Sequence, residues 1–225
     1  MGMFDFLKPA RQRYKYAQML NGRMPIFSQF GTNIYASDVV QQAVYCIVKE
    51  AKNFLFLIGD GMGLNQVVAT QYYLRSCQNE LGITPLCFAQ FPYTGIATSY
   101  SASSDVTDSA AGGTALATGH KTYNGAIGVT ADGAAVTSVA EWAHRAGARV
   151  GVATSVTINH ATPASFYAHQ KSRNDYYEIG TQLAASDFEF FAGGDFAEKT
   201  NPDNPAAPHL YDLTREAGYA IARGY

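Results

Sequence analysis

Apolar and polar positions divide the chain into alternating stretches of period two and period 3.6. Ser37 caps a predicted helix from about Asp38 to Glu50, with Val40, Val44, Ile47 and Val48 on one face. Ahead of it, Asn21-Gly22 and Pro25 mark a turn, and Ile26 to Phe30 reads as a short strand. The continuous apolar run Phe54 to Ile58, ended by Gly59-Asp60-Gly61, predicts a buried central strand of a parallel sheet. Leu64 to Arg75 predicts a helix, and Thr94 to Tyr100 a second strand. Ala134 to Ala146 predicts another helix, with Trp142 as a core anchor and Gly147 as its stop. Arg149 to Thr154 reads as a third strand, Asn174 to Ala185 as a helix and Phe188 to Phe191 as a further strand. A helical turn around Asp212 to Ala217 follows, and Tyr219 to Tyr225 begins like one more strand. The β-α-β rhythm implies an α/β fold, a mostly parallel central sheet flanked by helices and incomplete at its C-terminal side.

The stretch Val106 to Gly119 carries the candidate chemistry. Ser109 stands at the start of a small-residue run long enough to be a helix, directly after Asp108. Unpaired backbone N–H groups and tiny side chains at such a start suit a bound phosphate. A close-packed helix for which Ser109 is merely the cap fits the stretch equally. Asp60 has the same two readings. It is either a strand-end carboxylate facing a ligand, as at the carboxyl ends of open parallel sheets, or a turn former bonded to its own loop. Two strand-to-helix turns carry Asp60 and Ser109, the topology of one shared site. Further on, His160 and Thr162 alternate with Ala161, so both point to one side of a segment that Pro163 is expected to hold extended. Arg173 lies beyond. His120 and His144 read as surface or capping residues, His169 as a bystander and Asp195 as a loop residue.

Composition narrows this little. With 47% hydrophobic and 15% charged residues and a net charge of -2, the chain is globular, and bulk charge gives no reason to expect a nucleic-acid partner. Cys46, Cys77 and Cys87 form no C-x-x-C pair, which argues for ordinary buried thiols rather than a disulfide framework or zinc knuckle. No apolar run approaches membrane-spanning length, and Met1 to Ala10 lacks the apolar core and cleavage site of a secretory signal.

Two resemblances cover the chain. About the first fifty residues, above all the run PIFSQFGTNIYASDVVQQAVYCIVKEA, resemble the N-terminus of tailed-phage portal proteins, a family of ring-forming DNA conduits. From residue 51 to 225 the chain resembles the N-terminal part of the alkaline phosphatase domain. That resemblance rests on FLIGDGMG, VTDSAAGGTALATGHKTYNGAIGV, HATPAS and the Ser172-Arg173 that follows, in family order and spacing. It implies that Ser109 is a nucleophile that becomes a phosphoserine and binds zinc, and that Asp60 bridges a zinc and a magnesium ion. His160 and Thr162 fall on magnesium-side positions, and Arg173 on the phosphate clamp. Some members carry aspartate where His160 stands, an exchange that alters the metal preferred there.

The resemblance implies metal-dependent hydrolysis of phosphomonoesters with two zinc ions and one magnesium ion, by a homodimer working in the periplasm or outside the cell. The family's remaining zinc ligands and a magnesium-binding Glu belong to a C-terminal half that the 225 residues do not reach, so this chain is expected to bind zinc poorly and turn over little substrate. The competing readings are a phage structural fragment, whose portal-like segment does the work, and another hydrolase of the same superfamily, a sulfatase or phosphodiesterase. The DSAAGGTALATG block argues against the last. No Gly-, Ser- or Pro-rich linker separates the two stretches near residue 50, which suggests a recombined or misassembled coding sequence.

Overall fold

The computed structural model describes residues 53–223 apart from Thr94 and Ile96. The expected helix over 38–50 and the strand over 26–30 lie outside the described residues, as do the first fifty residues, for which a portal resemblance is expected. The described elements run α1 (Leu64–Ser76), α2 (Ser109–Thr118), α3 (Val139–Arg145), β1 (Gly151–Ala153), α4 (Ala161–Ala164), α5 (Tyr176–Ala185), β2 (Phe190–Ala192) and α6 (Leu210–Glu216). β1 and β2 pair in parallel, Gly151 opposite Phe190 and Ala153 opposite Ala192, with α4 and α5 in the crossover between them. This is an α/β arrangement with a smaller sheet than the apolar runs predict. No helix among the described residues is long and apolar enough to cross a membrane.

Side-chain size sets the packing. α2 lies against α4 because Gly113 has no side chain: a Cβ there would stand 2.6 Å from Ser165 Oγ. Gly180 does the same for α5 and α6, where a Cβ would meet Leu210 Cδ1 at 2.3 Å. Ile127, Ile179, Leu183 and Leu210 are fully buried between these helices. Each contributes about 1.5–3 kcal/mol by leaving water. Tyr167, also buried, donates its hydroxyl to Ile158 O at 2.5 Å, so its polar end is satisfied inside the core.

Several expectations need correction. Phe54 to Ile58 forms no ladder among the described residues, and Leu55 and Leu57 are 78% and 76% exposed. An apolar run becomes a strand only when a neighbouring strand takes its N–H and C=O groups, and β1 and β2 satisfy each other instead. Ala97 to Tyr100 is likewise not a strand, and neither is Tyr219 to Arg223. The predicted helix over 134–146 shrinks to α3. Ser138 caps it through Glu141 N–H at 3.1 Å, and the Glu141 carboxylate accepts the Ser138 N–H in return at 2.6 Å. Ala134 belongs to the preceding turn, where its N–H donates to Thr130 Oγ1 at 3.0 Å. Trp142 is half-buried beneath the Arg145 guanidinium rather than a core anchor.

The segment at 160–164 is helical, not extended. His160 is the N-cap of α4, and Thr162 and Pro163 lie in its first turn. Proline is tolerated there because the first N–H groups of a helix have no intrahelical acceptor.

His169 and Asp195 are more than bystander and loop residue. The Asp195 carboxylate takes Tyr211 Oη, Lys199 Nζ at 2.9 Å and Arg223 at 3.1 Å, tying β2 to α6. The His169 ring lies 2.7 Å from Gly128 O through Nδ1 and 3.2 Å from Glu141 Oε1 through Nε2. The Glu141 bond raises the His169 pKa, against the effect of burial. Burial pulls Glu141 upward, but the His169 and Ser138 bonds outweigh it and leave its pKa lowered. The signs fix a window. A raised His169 pKa stabilises fully below its unfolded value of 6.5 and loses that contribution as pH rises through the folded value. A lowered Glu141 pKa stabilises fully above its unfolded value of 4.5 and loses that contribution as pH falls through the folded value. The pair therefore contributes most between those two values. In thermal unfolding, His169→Gln is expected to lower the midpoint more at pH 5.5 than at pH 8.5; an equal drop at both would refute this.

Candidate active site

Asp108, not Ser109, caps α2. Its Oδ1 accepts the Ala111 N–H at 2.9 Å, while Ser109 occupies the first helical position. This separates the two roles that the sequence leaves open for one serine. With the cap supplied by its neighbour, the Ser109 hydroxyl is available to other partners, and it donates to Asp60 Oδ1 at 3.2 Å. Gly119 ends the helix in the left-handed conformation, at φ 76°.

Asp60 is brought to the same place. Its Oδ2 accepts the Thr162 hydroxyl at 2.8 Å, so one carboxylate joins α2 and α4. Asp60 is exposed, with Ser109 and Thr162 half-buried beside it. Of the two readings open for this aspartate, the long-range bonds favour convergence with a site over a turn that bonds only itself.

Arg173 stands on the other side of Asp108. Its Nη1 donates to Asp108 Oδ2 at 3.0 Å and its Nη2 lies 3.3 Å from His160 Nε2. Asp108 Oδ2 also accepts the Gly125 N–H at 3.0 Å, and Gly125 O accepts the Arg173 N–H at 2.7 Å. Burial lowers the His160 pKa, the Arg173 charge lowers it further, and Asp60 pulls the other way. A neutral imidazole that accepts Arg173 Nη2–H at Nε2 carries its proton on Nδ1, which is buried with no hydrogen-bond partner among the described residues.

Thus Asp60, Ser109 and Thr162 form one cluster, and Asp108, Arg173 and His160 form a second cluster joined to it through the Asp108-Ser109 peptide. His160 faces Arg173 through Nε2. The atoms converging on Asp60 are oxygens only, one carboxylate and two hydroxyls. Hard oxygens of this kind fit magnesium, with water filling the remaining positions. They do not fit zinc, which takes three or four nitrogen, sulfur or carboxylate ligands. Among the described residues no three His, Cys, Asp or Glu side chains gather to hold a metal.

Three supporting residues escape sequence reasoning. Asn124 and Gly125 bracket Asp108 and Arg173. Asn159, fully buried, donates to Tyr176 O at 2.9 Å and Ala197 O at 2.7 Å and accepts the Ala197 N–H at 2.9 Å. It anchors the residue before His160. The Asn124-Gly125 dipeptide signals a turn, and nothing local ties it to Asp108.

A hydroxyl uncovered at a helix N-terminus, with a carboxylate on one side and a guanidinium on the other, defines an anion-directed hydroxyl site on an α/β scaffold. The chain belongs to the alkaline phosphatase family, whose match covers residues 51–190. It is 39% identical to alkaline phosphatase 4 of Drosophila melanogaster, over 63% of this chain and 25% of that protein. It is 38% identical to alkaline phosphatase 4 of Bacillus subtilis (strain 168), over 73% of this chain and 37% of that protein. The solved alkaline phosphatase from the Antarctic bacterium TAB5 superposes with a TM-score of 0.65 at 37% identity, covering 75% of this chain and 46% of that one. The chain thus spans roughly a quarter to under half of the length of the relatives it matches. Residues 1–50 lie outside the family match.

Proposed function

We propose that this site transfers the phosphoryl group of a phosphomonoester to Ser109, and that water then hydrolyses the phosphoserine. The observation that carries this reading is the Ser109 hydroxyl, relieved of capping by Asp108 and held on Asp60 Oδ1 at 3.2 Å. Membership of the alkaline phosphatase family supports it.

Each residue has a definable part. Ser109 Oγ attacks phosphorus, the bond from phosphorus to the alcohol oxygen breaks, and the alkoxide leaves with the electron pair and takes a proton from water. Asp60 Oδ1 holds the serine proton and fixes the direction of the oxygen lone pairs. Asp60 and Thr162, with Ser109, are the residues that would hold magnesium. When bound, such a cation supplies charge neutralisation for the transferring group. The α2 N-terminus directs backbone N–H groups at the same anion. Two of the five Arg173 N–H groups are engaged with Asp108 and His160, leaving three for phosphate oxygens. With no zinc-holding ligand set among the described residues, we expect turnover by this chain to be weak.

Phosphoryl trapping tests the reading directly. The full chain is incubated with p-nitrophenyl phosphate, magnesium and zinc, quenched in acid, digested and mapped by mass spectrometry. A phosphoryl group on Ser109 is expected. Its appearance only on another residue, or on none, would overturn the assignment.

A further inference from the structure

We propose that Asn124 is a positioning residue: it holds the strand of chain entering α2 and the arginine that clamps phosphate in one frame. This rests on the reading of Ser109 and Arg173 given above.

Asn124 makes three bonds that converge on the approach to Ser109. Its Oδ1 accepts the Asp108 N–H at 3.2 Å, and its Nδ2 donates to Val106 O at 3.0 Å. Its own N–H donates to Ser103 Oγ at 2.9 Å. One amide side chain therefore grips residues 106 and 108 from the same side. The next peptide reaches further, because the Gly125 N–H donates to Asp108 Oδ2 and Gly125 O accepts the Arg173 N–H. Gly125 has φ 92°, a conformation that lets both its polar groups face inward across the turn.

The consequence falls on Asp108. Its Oδ2 is shared by the Gly125 N–H and Arg173 Nη1, both at 3.0 Å. Rotation of the Asp108 peptide would move the carboxylate that fixes the guanidinium. Asn124 prevents that rotation by holding the peptide at its N–H and at the carbonyl two residues earlier. Among the described residues its hydrogen bonds go to Asp108, Val106 and Ser103 and not to the Ser109 or Arg173 side chain, so it acts through Asp108. Fixing a phosphate-binding fork before the anion arrives removes an ordering cost from binding.

A residue that merely stabilised the turn would act independently of Arg173, and a double-mutant cycle separates the two roles. Inorganic phosphate is titrated calorimetrically into the full chain and its variants. Asn124→Ala is expected to weaken phosphate binding about tenfold, and Arg173→Ala by more. The double variant is expected to bind no more weakly than Arg173→Ala alone. Ser103→Ala removes the acceptor of the Asn124 N–H, along with a longer contact to Ser101 Oγ at 3.4 Å, and leaves the Asn124 side chain in place; it is expected to weaken binding about threefold, which keeps the test open if Asn124→Ala does not fold. Unchanged affinity in Asn124→Ala and Ser103→Ala, with Arg173→Ala still weakened, or additive losses in the double variant, would overturn the positioning role alone. If phosphate fails to bind the unaltered chain, or binds Arg173→Ala equally well, the clamp reading falls and the positioning role falls with it.

Discussion

Ser109→Ala is expected to abolish phosphoryl trapping and to lower any phosphomonoester turnover on the order of a thousandfold or more, while leaving the fold intact. The two halves of this expectation have separate causes. The hydroxyl oxygen is the only atom at this position that can bond to phosphorus, and alanine removes it. Stability is insulated because Asp108 supplies the cap, through its bond to Ala111 N–H at 2.9 Å. What is lost structurally is one solvent-accessible bond to Asp60 at 3.2 Å. Alanine is also the better helix former at a first-turn position, so the net change in stability is expected within about 0.5 kcal/mol. Paired denaturation and trapping measurements check both halves. A cooperative variant that still acquires a phosphoryl group at the usual rate would refute the nucleophile. A variant that loses trapping only because it unfolds would refute the division of labour between Asp108 and Ser109.

Gly128→Ala is expected to have the largest effect on folding. Gly128 has φ 59°, and a Cβ built there would lie 2.1 Å from Ala168 O and 2.7 Å from His169 Nδ1. The first is a backbone atom in a buried segment, so no side-chain rotation relieves the overlap. Adding the cost of a left-handed alanine to that of overpacking gives a loss of about 2–5 kcal/mol. The damage would spread, because Gly128 O is the partner of His169 Nδ1 and Gly128 N–H donates to Thr114 Oγ1 at 2.9 Å within α2. Chemical denaturation reads the change. A loss below about 1 kcal/mol would show that the 126–129 segment yields more easily than close packing allows.

What was legible in the sequence follows the range of the interactions concerned. The small-residue helix at 109–118 announces itself locally. The apolar period alone extends α3 back to residue 134, and the Ser138-x-x-Glu141 box that sets its start is a local signal that the period does not register. Pro163 misleads because proline is read first as a helix breaker, whereas the first helical turn accommodates it. Phe54 to Ile58 misleads for a different reason: apolar content gives the desire for burial but not the neighbour that supplies it. The candidate residues Asp60, Ser109, Thr162, His160 and Arg173 are recognisable from family order. Their grouping into an oxygen cluster and an arginine cluster is not, since it depends on bonds spanning 49, 102 and 65 positions. His169 is invisible for the same reason. A histidine with no local partner gives no sign that Glu141 and Gly128 will close around it.

The uncovered run from Phe54 to Leu57 bears on how the chain behaves in concentrated solution. Side chains 44–78% exposed, on a backbone that joins no ladder among the described residues, form a template to which another chain can add. Encounters of that kind grow with the product of concentrations and draw on the native state itself, not on its unfolded fraction. A substitution that deepens the folding free energy would therefore raise the melting point without raising the concentration at which the protein stays dispersed. A single charge placed at Leu55 or Leu57 would do the reverse.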